Sequence, residues 1–306
     1  MFPRVFISFF ALCISLSLAA QPMRKASSKS DTTSFKIQTN YLSNYVYNGR
    51  ADSLKSPYFY TTATVNFANG LYASFSLNYL LSPAQSGYDF SELDIGYNYA
   101  FGEKLTGEVY GSKYFYATGS NLISGNISGD IGFTFNYDLT YLNFHNSFDV
   151  FFSNKADMQL VPGFEKEMIL SSYNDNKLSI TPGMYSSFSS LNFYESTINR
   201  RLNPLKNSKI KQPPTAGTLQ STTTVDQKGF KFLDMELSLP INYEFNNWNI
   251  ALTPTFAIPF NKVTTTSVNI STINGVSNTA KVNSTLYSET HLSNIFFFDF
   301  GVTYKF

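Results

Sequence analysis

The feature that most constrains the fold is a two-residue alternation of apolar and polar side chains that recurs along most of the chain. Segment 127–138 shows it most cleanly, and its predicted apolar face is Ile127, Gly129, Ile131, Phe133, Phe135 and Tyr137. Because successive side chains of a strand point to opposite sides, this segment predicts a strand with one apolar face and one polar face.

The composition indicates that these strands lie in a membrane. Aromatic residues make up 17% of the chain and charged residues only 14%, whereas a soluble domain carries roughly 25% charged residues. After residue 20, no apolar run approaches the roughly 20 residues that a membrane helix needs. Barrel strands alternate and need no such run. The sequence therefore predicts an all-β fold, a transmembrane up-and-down antiparallel β-barrel.

About twelve alternating segments are separated by turn residues. They span approximately 34–47, 57–68, 71–82, 90–101, 105–117, 127–138, 139–152, 158–171, 178–196, 229–245, 248–261 and 289–306. Short turns such as Asn69-Gly70, a strong hairpin signal, follow the even segments. The longest connections, 197–228 and 262–288, follow odd segments, and we expect 197–228 to be irregular and 262–288 to extend its flanking strands. Short turns facing the periplasm and long loops facing outward are typical of outer-membrane barrels.

The N-terminus has the layout of a secretory signal peptide. Arg4 precedes an apolar run, and small residues at Ala19 and Ala20 follow it. We predict a signal peptide over 1–20, a short periplasmic leader over 21–33 and the barrel over 34–306. Removal of the signal peptide would also remove Cys13, the chain's only cysteine.

The last segment carries a pattern of alternate apolar residues that ends in phenylalanine. It resembles the terminal-strand signal that the barrel-assembly machinery recognises during insertion; an ordinary edge strand is the alternative. The predicted assembly signal comprises Phe298, Phe300, Gly301, Val302, Tyr304 and Phe306.

Three short stretches of the first hundred residues resemble the TorF-type family of outer-membrane porins. The stretches are Tyr41-Leu42-Ser43-Asn44-Tyr45-Val46 with Gly49, Asn69-Gly70-Leu71-Tyr72-Ala73, and Glu92-Leu93-Asp94-Ile95-Gly96-Tyr97. The family usually places Arg before Gly in the first motif, whereas here the order is Asn48-Gly49-Arg50. The resemblance implies a barrel and a pore, and it supplies no catalytic or binding residues.

The polar faces of the segments supply the candidate pore-lining residues. These are Glu92, Asp94, Glu108, Asp130, Asp149, Asp234, Glu236, Asp299, Lys36 and His145. Such a lumen would favour cations or neutral polar solutes, as carboxylate rings do in cation pores. The sequence thus predicts a porin-like channel in the cell outer membrane, surrounded by outer-membrane lipid and passing small polar solutes by passive diffusion. A non-conducting structural or adhesion barrel remains the alternative, because twelve strands lie between a filled and an open barrel.

The long loop 197–228 carries a basic patch of Arg200, Arg201, Lys206, Lys209 and Lys211. Facing outward, it would contact lipopolysaccharide phosphates or attract anionic solutes, or it would simply be a solvated loop.

A membrane lipid hydrolase is a further alternative, because His145 and Ser147 share one face of a strand. The alternation of apolar and polar residues along this segment predicts that both side chains face the lumen, away from lipid. The sequence shows no signature of an enzyme, a cofactor site or a metal site, and no clustered basic face for nucleic acid. The oligomeric state stays open.

Overall fold

A computed structural model describes residues 32–51, 56–82, 85–117, 120, 127–153, 156–190, 218–225, 229–260, 265–273, 276–282 and 293–306. All regular structure in these ranges is β-strand. The strands are β1 (Ser34–Leu42), β2 (Val46–Tyr47), β3 (Arg50–Ala51), β4 (Tyr58–Asn66), β5 (Leu71–Ser82), β6 (Gln85–Phe101), β7 (Leu105–Tyr116), β8 (Gly129–Asp138), β9 (Asn143–Phe152), β10 (Asp157–Glu165), β11 (Met168–Tyr173), β12 (Asn176–Ile180), β13 (Gly183–Ser189), β14 (Thr218–Val225), β15 (Lys231–Ser238), β16 (Ile241–Phe245), β17 (Trp248–Pro259), β18 (Thr265–Ile273), β19 (Val276–Val282) and β20 (Ile295–Lys305).

The fold is a closed antiparallel barrel whose wall has twelve strands, as the sequence predicts. The circuit runs β1, β4, β5, β6, β7, β8, β9, β10, β13, β15, β17, β20. Strand β20 pairs with β17 on one side and with β1 on the other, which closes the ring. Closure gives each of the twelve strands of this circuit a partner on both sides, as a sheet that crosses lipid requires. The short strand β11 is paired with β12 alone.

Three wall strands are interrupted near the short-turn end of the barrel. β10 resumes as β11 after Lys166-Glu167, β12 joins β13 through Thr181-Pro182, and β15 joins β16 through Leu239-Pro240. Proline lacks the amide hydrogen that a ladder bond needs, which explains the breaks at Pro182 and Pro240. The short strands β11, β12 and β16 prolong the wall beyond these breaks.

The short turns cluster at one end of the barrel, together with the start of β1 and the end of β20. Each of the five contains a residue with positive φ, namely Gly70 at 96°, Gly102 at 62°, Thr140 at 76°, Asn174 at 50° and Asn246 at 48°. Glycine and asparagine tolerate this backbone conformation, which tight hairpins require. By analogy with outer-membrane barrels this end faces the periplasm, and we call the opposite end the outer end.

The exterior of the barrel is apolar, with aromatic side chains near both ends. Many of the exposed aromatic residues lie near the ends: Phe59, Tyr79, Tyr88, Phe115, Phe152 and Phe296 near the outer end, and Phe67, Tyr97, Phe101, Tyr137, Tyr173, Tyr243, Trp248 and Phe306 near the periplasmic end, while exposed Phe75, Phe133 and Phe300 lie in mid-wall. Exposed Ile95, Ile131 and Leu252 lie between them. An apolar band between two aromatic girdles is the lipid-facing surface of a membrane barrel.

The structure corrects several expected strand boundaries. The first segment was expected to run to residue 47, but β1 ends at Leu42 and the chain then folds into the barrel. Ile127 was expected on the lipid face, but it precedes β8, is 2% exposed and packs in the interior. The alternation of segment 229–245 predicts Leu233, with Met235 and Leu237, on the lipid face, but Leu233 is fully buried inside. The register shift between Ser187 and Phe188 leaves Leu233 unpaired beside Asp234, and such a bulge turns the side chain inward.

Both long loops contain strands that we did not anticipate. In the loop 197–228, expected to be irregular, Thr218–Val225 forms β14. In the loop 262–288, β18 pairs with β19 and with β14, so these strands form a separate three-stranded sheet instead of extending the wall.

In the part of the chain that the structure describes, no helix is long and apolar enough to cross a membrane.

Candidate functional site: the barrel interior

The interior wall is rich in carboxylates. The structure places all eight predicted carboxylates on the inward face of the wall, namely Glu92, Asp94, Glu108, Asp130, Asp149, Asp234, Glu236 and Asp299. Glu92, Asp94, Glu108 and Asp299 line an interior cavity, together with Lys36 and His145. The other four are buried in the interior but do not line this cavity. The role of all ten predicted residues as pore lining stays a prediction.

Sequence reasoning missed three further interior carboxylates, Asp89, Asp157 and Glu165. Asp89 lies at a register shift between β5 and β6, where strict alternation fails. Glu165 lies on the same face of β10 as Val161 and Gly163, so its inward direction could have been predicted from alternation along this strand.

Tyrosine hydroxyls donate hydrogen bonds to five of the interior carboxylates. The pairs are Tyr58–Asp89, Tyr60–Asp299 (2.7 Å), Tyr110–Asp149, Tyr114–Asp130 (2.7 Å) and Tyr185–Glu165 (2.6 Å). A phenol satisfies the lone pairs of a carboxylate without cancelling its charge, unlike Lys or Arg. These contacts therefore hold the carboxylates in place without adding a positive charge beside them.

A hairpin formed by residues 43–51 folds into the barrel interior. Strands β2 and β3 flank the turn Asn48-Gly49, whose φ angles of 50° and 70° are both positive. Two positive φ angles define the hairpin turn for which Asn-Gly is the preferred pair. We call residues 43–51 the inward hairpin.

The tip of the inward hairpin is tied to the wall. Asn48 Oδ1 accepts hydrogen bonds from Gln159 Nε2 and from Ser187 Oγ, each at 2.6 Å. Arg50 donates to the carbonyl oxygens of Asn48 at 2.7 Å and Phe260 at 3.0 Å. The tip therefore contacts β10, β13 and the end of β17, far from β1 around the barrel.

The turn also packs closely against β15. A Cβ atom at Gly49 would lie 2.6 Å from Asp234 Cβ and 3.2 Å from Pro259 Cβ. Since such Cβ contacts are too close, only glycine fits at this position, both for space and for its positive φ.

The inward hairpin forms an apolar cluster with the outer half of the wall. Its members are Leu42, Tyr45, Val46, Tyr47, Tyr58, Leu80, Ile127, Phe151, Leu233, Ala257 and Phe297. Val46, Phe151 and Leu233 are fully buried in it. The hairpin thus constricts the outer half of the described interior with a packed apolar layer.

Below this layer lies a cavity of about 500 Å³. Near the periplasmic end its wall is polar and includes Lys36, Asn66, Asn98, Glu108 and Asn242. Toward the outer end it is bounded by aromatic rings of Tyr45, Tyr58, Phe90, Tyr114, Tyr116 and Phe297. We call this cavity the chamber.

His145 and Ser147 both lie on the inward face of β9. His145 is 3% exposed, its Nδ1 lies 2.8 Å from Asn136 Oδ1, and its ring meets Tyr185 edge-on. The hydrogen bond of the imidazole thus goes to an amide on β8, inside the barrel and away from the lipid in which a membrane lipid hydrolase meets its substrate.

The predicted assembly signal lies on β20, the strand that closes the ring. Phe298, Phe300, Val302 and Tyr304 alternate along it, and the Phe306 ring packs against Phe35 at 5.2 Å and Tyr304 at 4.7 Å. The assembly role stays a prediction, as do the signal peptide and the contact with lipopolysaccharide. Residues 1–31 and the basic patch at Arg200, Arg201, Lys206, Lys209 and Lys211 lie outside the described residues.

No family model matches the chain, so the resemblance to TorF-type porins stays a prediction, and no curated protein matches it either. Solved structures do resemble it at low identity. A KdgM porin matches with 11% identity and a TM-score of 0.44, covering 89% of this chain and 99% of that chain. A bacterial polysaccharide outer membrane secretin matches with 6% identity and a TM-score of 0.33, covering 92% and 100%. Salmonella typhi OmpF in complex with daunomycin matches with 8% identity and a TM-score of 0.29, covering 90% and 97%.

The closed ring and the apolar exterior with its aromatic girdles are the features of an outer-membrane β-barrel.

Proposed function

We propose that the chain is an outer-membrane channel of the porin type, which passes small polar solutes by diffusion and prefers cations. The observation that carries this proposal is the polar, carboxylate-rich wall of the chamber. A barrel that served only as a scaffold would gain more stability from an apolar interior, because buried charges cost free energy to desolvate.

The charge balance of the interior supports the cation preference. Within the described ranges, the inward carboxylates outnumber the inward basic groups, which are Lys36 and Arg50, with Lys231 and Lys305 toward the two ends. Arg50 is held in the inward hairpin near Asp234, so Lys36 is the cation that lines the chamber itself. A net negative lumen concentrates cations and repels anions.

The inward hairpin would then set the size of the solutes that pass. It lies between the chamber and the outer end, and its side chains fill the interior at that level. Only a path beside the hairpin, or one that opens when the hairpin shifts, would connect the chamber to the outside.

The proposal is tested by inserting the purified protein into planar bilayers and liposomes. Discrete conductance steps, with liposome swelling in small polar solutes and none in large oligosaccharides, would support it.

Gly49→Val supplies a sharper test, because it disrupts the hairpin turn and should raise conductance if the hairpin is the constriction. Gly111→Val is the control, since the space around Gly111 is open enough for a Cβ.

A non-conducting structural barrel is the second candidate, and the apolar cluster across the outer half favours it. A barrel that is folded in the bilayer but gives no conductance and no swelling, even with Gly49→Val, would support this candidate and contradict the channel.

A further inference from the structure

We propose that the chamber is a binding site for a small hydroxylated organic cation, of which an amino sugar is the type. This inference rests on the proposed channel, because it names the class of solute that the chamber selects. Three features of the wall, which lie on different strands, support it: an aromatic ladder, a set of carboxylates, and buried amides with unused hydrogen-bonding atoms.

The aromatic ladder is a continuous series of ring contacts across the hairpin, β4, β6 and β7. Tyr45 meets Tyr58 at 5.7 Å, Tyr58 meets Phe90 at 6.3 Å, and Phe90 meets Tyr116 at 5.4 Å and Tyr114 at 6.5 Å. All five rings line the chamber. Ring faces carry negative potential, which attracts the C–H face of a sugar ring and, more strongly, an ammonium group.

The carboxylates of Glu92, Asp94 and Asp299 line the same chamber. Asp299 is positioned by Asn40 Nδ2 and by the Tyr60 hydroxyl at 2.7 Å. Asp94 is flanked by the hydroxyls of Ser74 and Ser112 at 3.4 and 3.5 Å. Carboxylates accept hydrogen bonds from sugar hydroxyls, and they bind an ammonium group through stronger, charge-assisted hydrogen bonds.

Two buried amides point to a ligand independently of the charges. Asn78 is 8% exposed and Asn40 is 4% exposed, and both line the chamber. Across the part of the chain that the structure describes, Asn78 Nδ2 and Asn40 Oδ1 have no hydrogen-bond partner. Since buried polar atoms are normally paired, an unused donor and an unused acceptor indicate a ligand with both kinds of group. A hydroxyl supplies both.

The amides, the ladder and the carboxylates meet on one side of the chamber. Asn40, Tyr60, Asn78 and Phe90 lie opposite one another in register across β1, β4, β5 and β6. A chamber of about 500 Å³ is within the range of small-molecule sites. The combination favours a cationic sugar over a neutral one, and a neutral one over a sugar acid.

The site is tested by titrating the purified protein in detergent with glucosamine, using saturation-transfer difference NMR. Glucose and glucuronate serve as neutral and anionic probes of the same ring size, and the pH is one at which the amine of glucosamine is protonated. We expect saturable binding in the order glucosamine, glucose, glucuronate. Equal binding of the three, or no saturation with glucosamine, would overturn the proposal.

Two substitutions separate the charge from the amide. Glu92→Gln should weaken glucosamine binding about tenfold and leave glucose nearly unchanged, because only the charge-assisted hydrogen bond is lost. Asn78→Ala should weaken both sugars to a similar extent, because a hydroxyl partner is lost in each case. The matched control is Glu103→Gln, in an exposed turn at the periplasmic end, which should change neither. Loss of binding with the control and not with Glu92→Gln would contradict the site.

Failure of this site and failure of the channel give different results. Cation-selective conductance without saturable glucosamine binding would leave the channel standing and exclude the chamber site. Saturable glucosamine binding to a barrel that does not conduct would support the site and exclude the channel.

Discussion

Asn48, at the tip of the inward hairpin, accepts a 2.6 Å hydrogen bond from the hydroxyl of Ser187, a residue four wall strands away from β1 around the barrel. Gln159 on β10 donates to the same oxygen at 2.6 Å. A loop that leaves the wall at β1 is thereby fastened to β10 and β13, and these two contacts hold the constriction in place.

Removing the side chain of Asn48 should loosen the hairpin without preventing its turn. Asn48→Gly keeps a residue that accepts positive φ and deletes both hydrogen bonds, each worth roughly 0.5–1.5 kcal/mol. We expect higher or more frequent conductance steps in single-channel recordings. The opposite change is a double variant, Asn48→Cys with Ser187→Cys, in which a disulfide bond would fix the hairpin to the wall. This variant should have reduced conductance until a reductant is added. Recordings identical to wild type for both variants would show that the hairpin does not control the path.

The tyrosine–carboxylate pairs should contribute measurably to stability. Tyr185 is 2% exposed and donates to Glu165 Oε2 at 2.6 Å. Tyr185→Phe would leave a buried carboxylate short of one donor, and we expect a loss of roughly 1–3 kcal/mol in the free energy of unfolding. Urea titration in lipid vesicles measures it. Tyr141→Phe is the control, because Tyr141 is 84% exposed and should give no change.

Close packing of tyrosine rings over interior glycines should make those glycines intolerant of a methyl group. A Cβ at Gly163 would overlap the ring of Tyr185. We expect Gly163→Ala to destabilise the barrel by about 1–3 kcal/mol, as overpacking does. Gly111→Ala, where the nearest atom would be 3.5 Å away, should be close to neutral. Equal stability of the two variants would contradict this packing.

The predicted assembly signal can be separated from simple lipid contact. Phe306 and Phe296 are 65% and 64% exposed, at opposite ends of the same strand region. Phe306→Ala should lower the amount of folded barrel in the outer membrane of cells, whereas Phe296→Ala should have a smaller effect. Both variants should refold equally well in detergent, where no assembly machinery acts. A refolding defect confined to Phe306→Ala would indicate a structural role instead of a signal.

The wall of the barrel was predictable because each strand meets the same two environments along its length. Segment 71–82 matches β5 (Leu71–Ser82), and the inward direction of Glu92 and Asp94 follows from alternation alone. The alternation of apolar and polar side chains within one strand does not reveal where its register with the neighbouring strand shifts. This is why Asp89 was missed and Leu233 was assigned to lipid: each lies where one strand carries an extra residue.

The inward hairpin was not predicted, because Tyr45, Val46 and Tyr47 continue the β-like pattern of the first strand. The turn signal Asn48-Gly49 was present and marks a hairpin. Its direction is set by contacts with Gln159 and Ser187, more than a hundred residues away in sequence, which no local pattern contains. One ring of the aromatic ladder could not be predicted for the same reason, since Tyr45 joins the ladder only through the hairpin.

The most direct test of the proposed channel is the reversal potential of the wild-type protein in a planar bilayer with a potassium chloride gradient. The acidic interior predicts a reversal potential displaced toward the potassium equilibrium potential, and a smaller displacement when Glu92 and Asp94 are changed to Gln and Asn. Conductance with a reversal potential near zero, or displaced toward that of chloride, would contradict a lumen whose charge is set by its carboxylates.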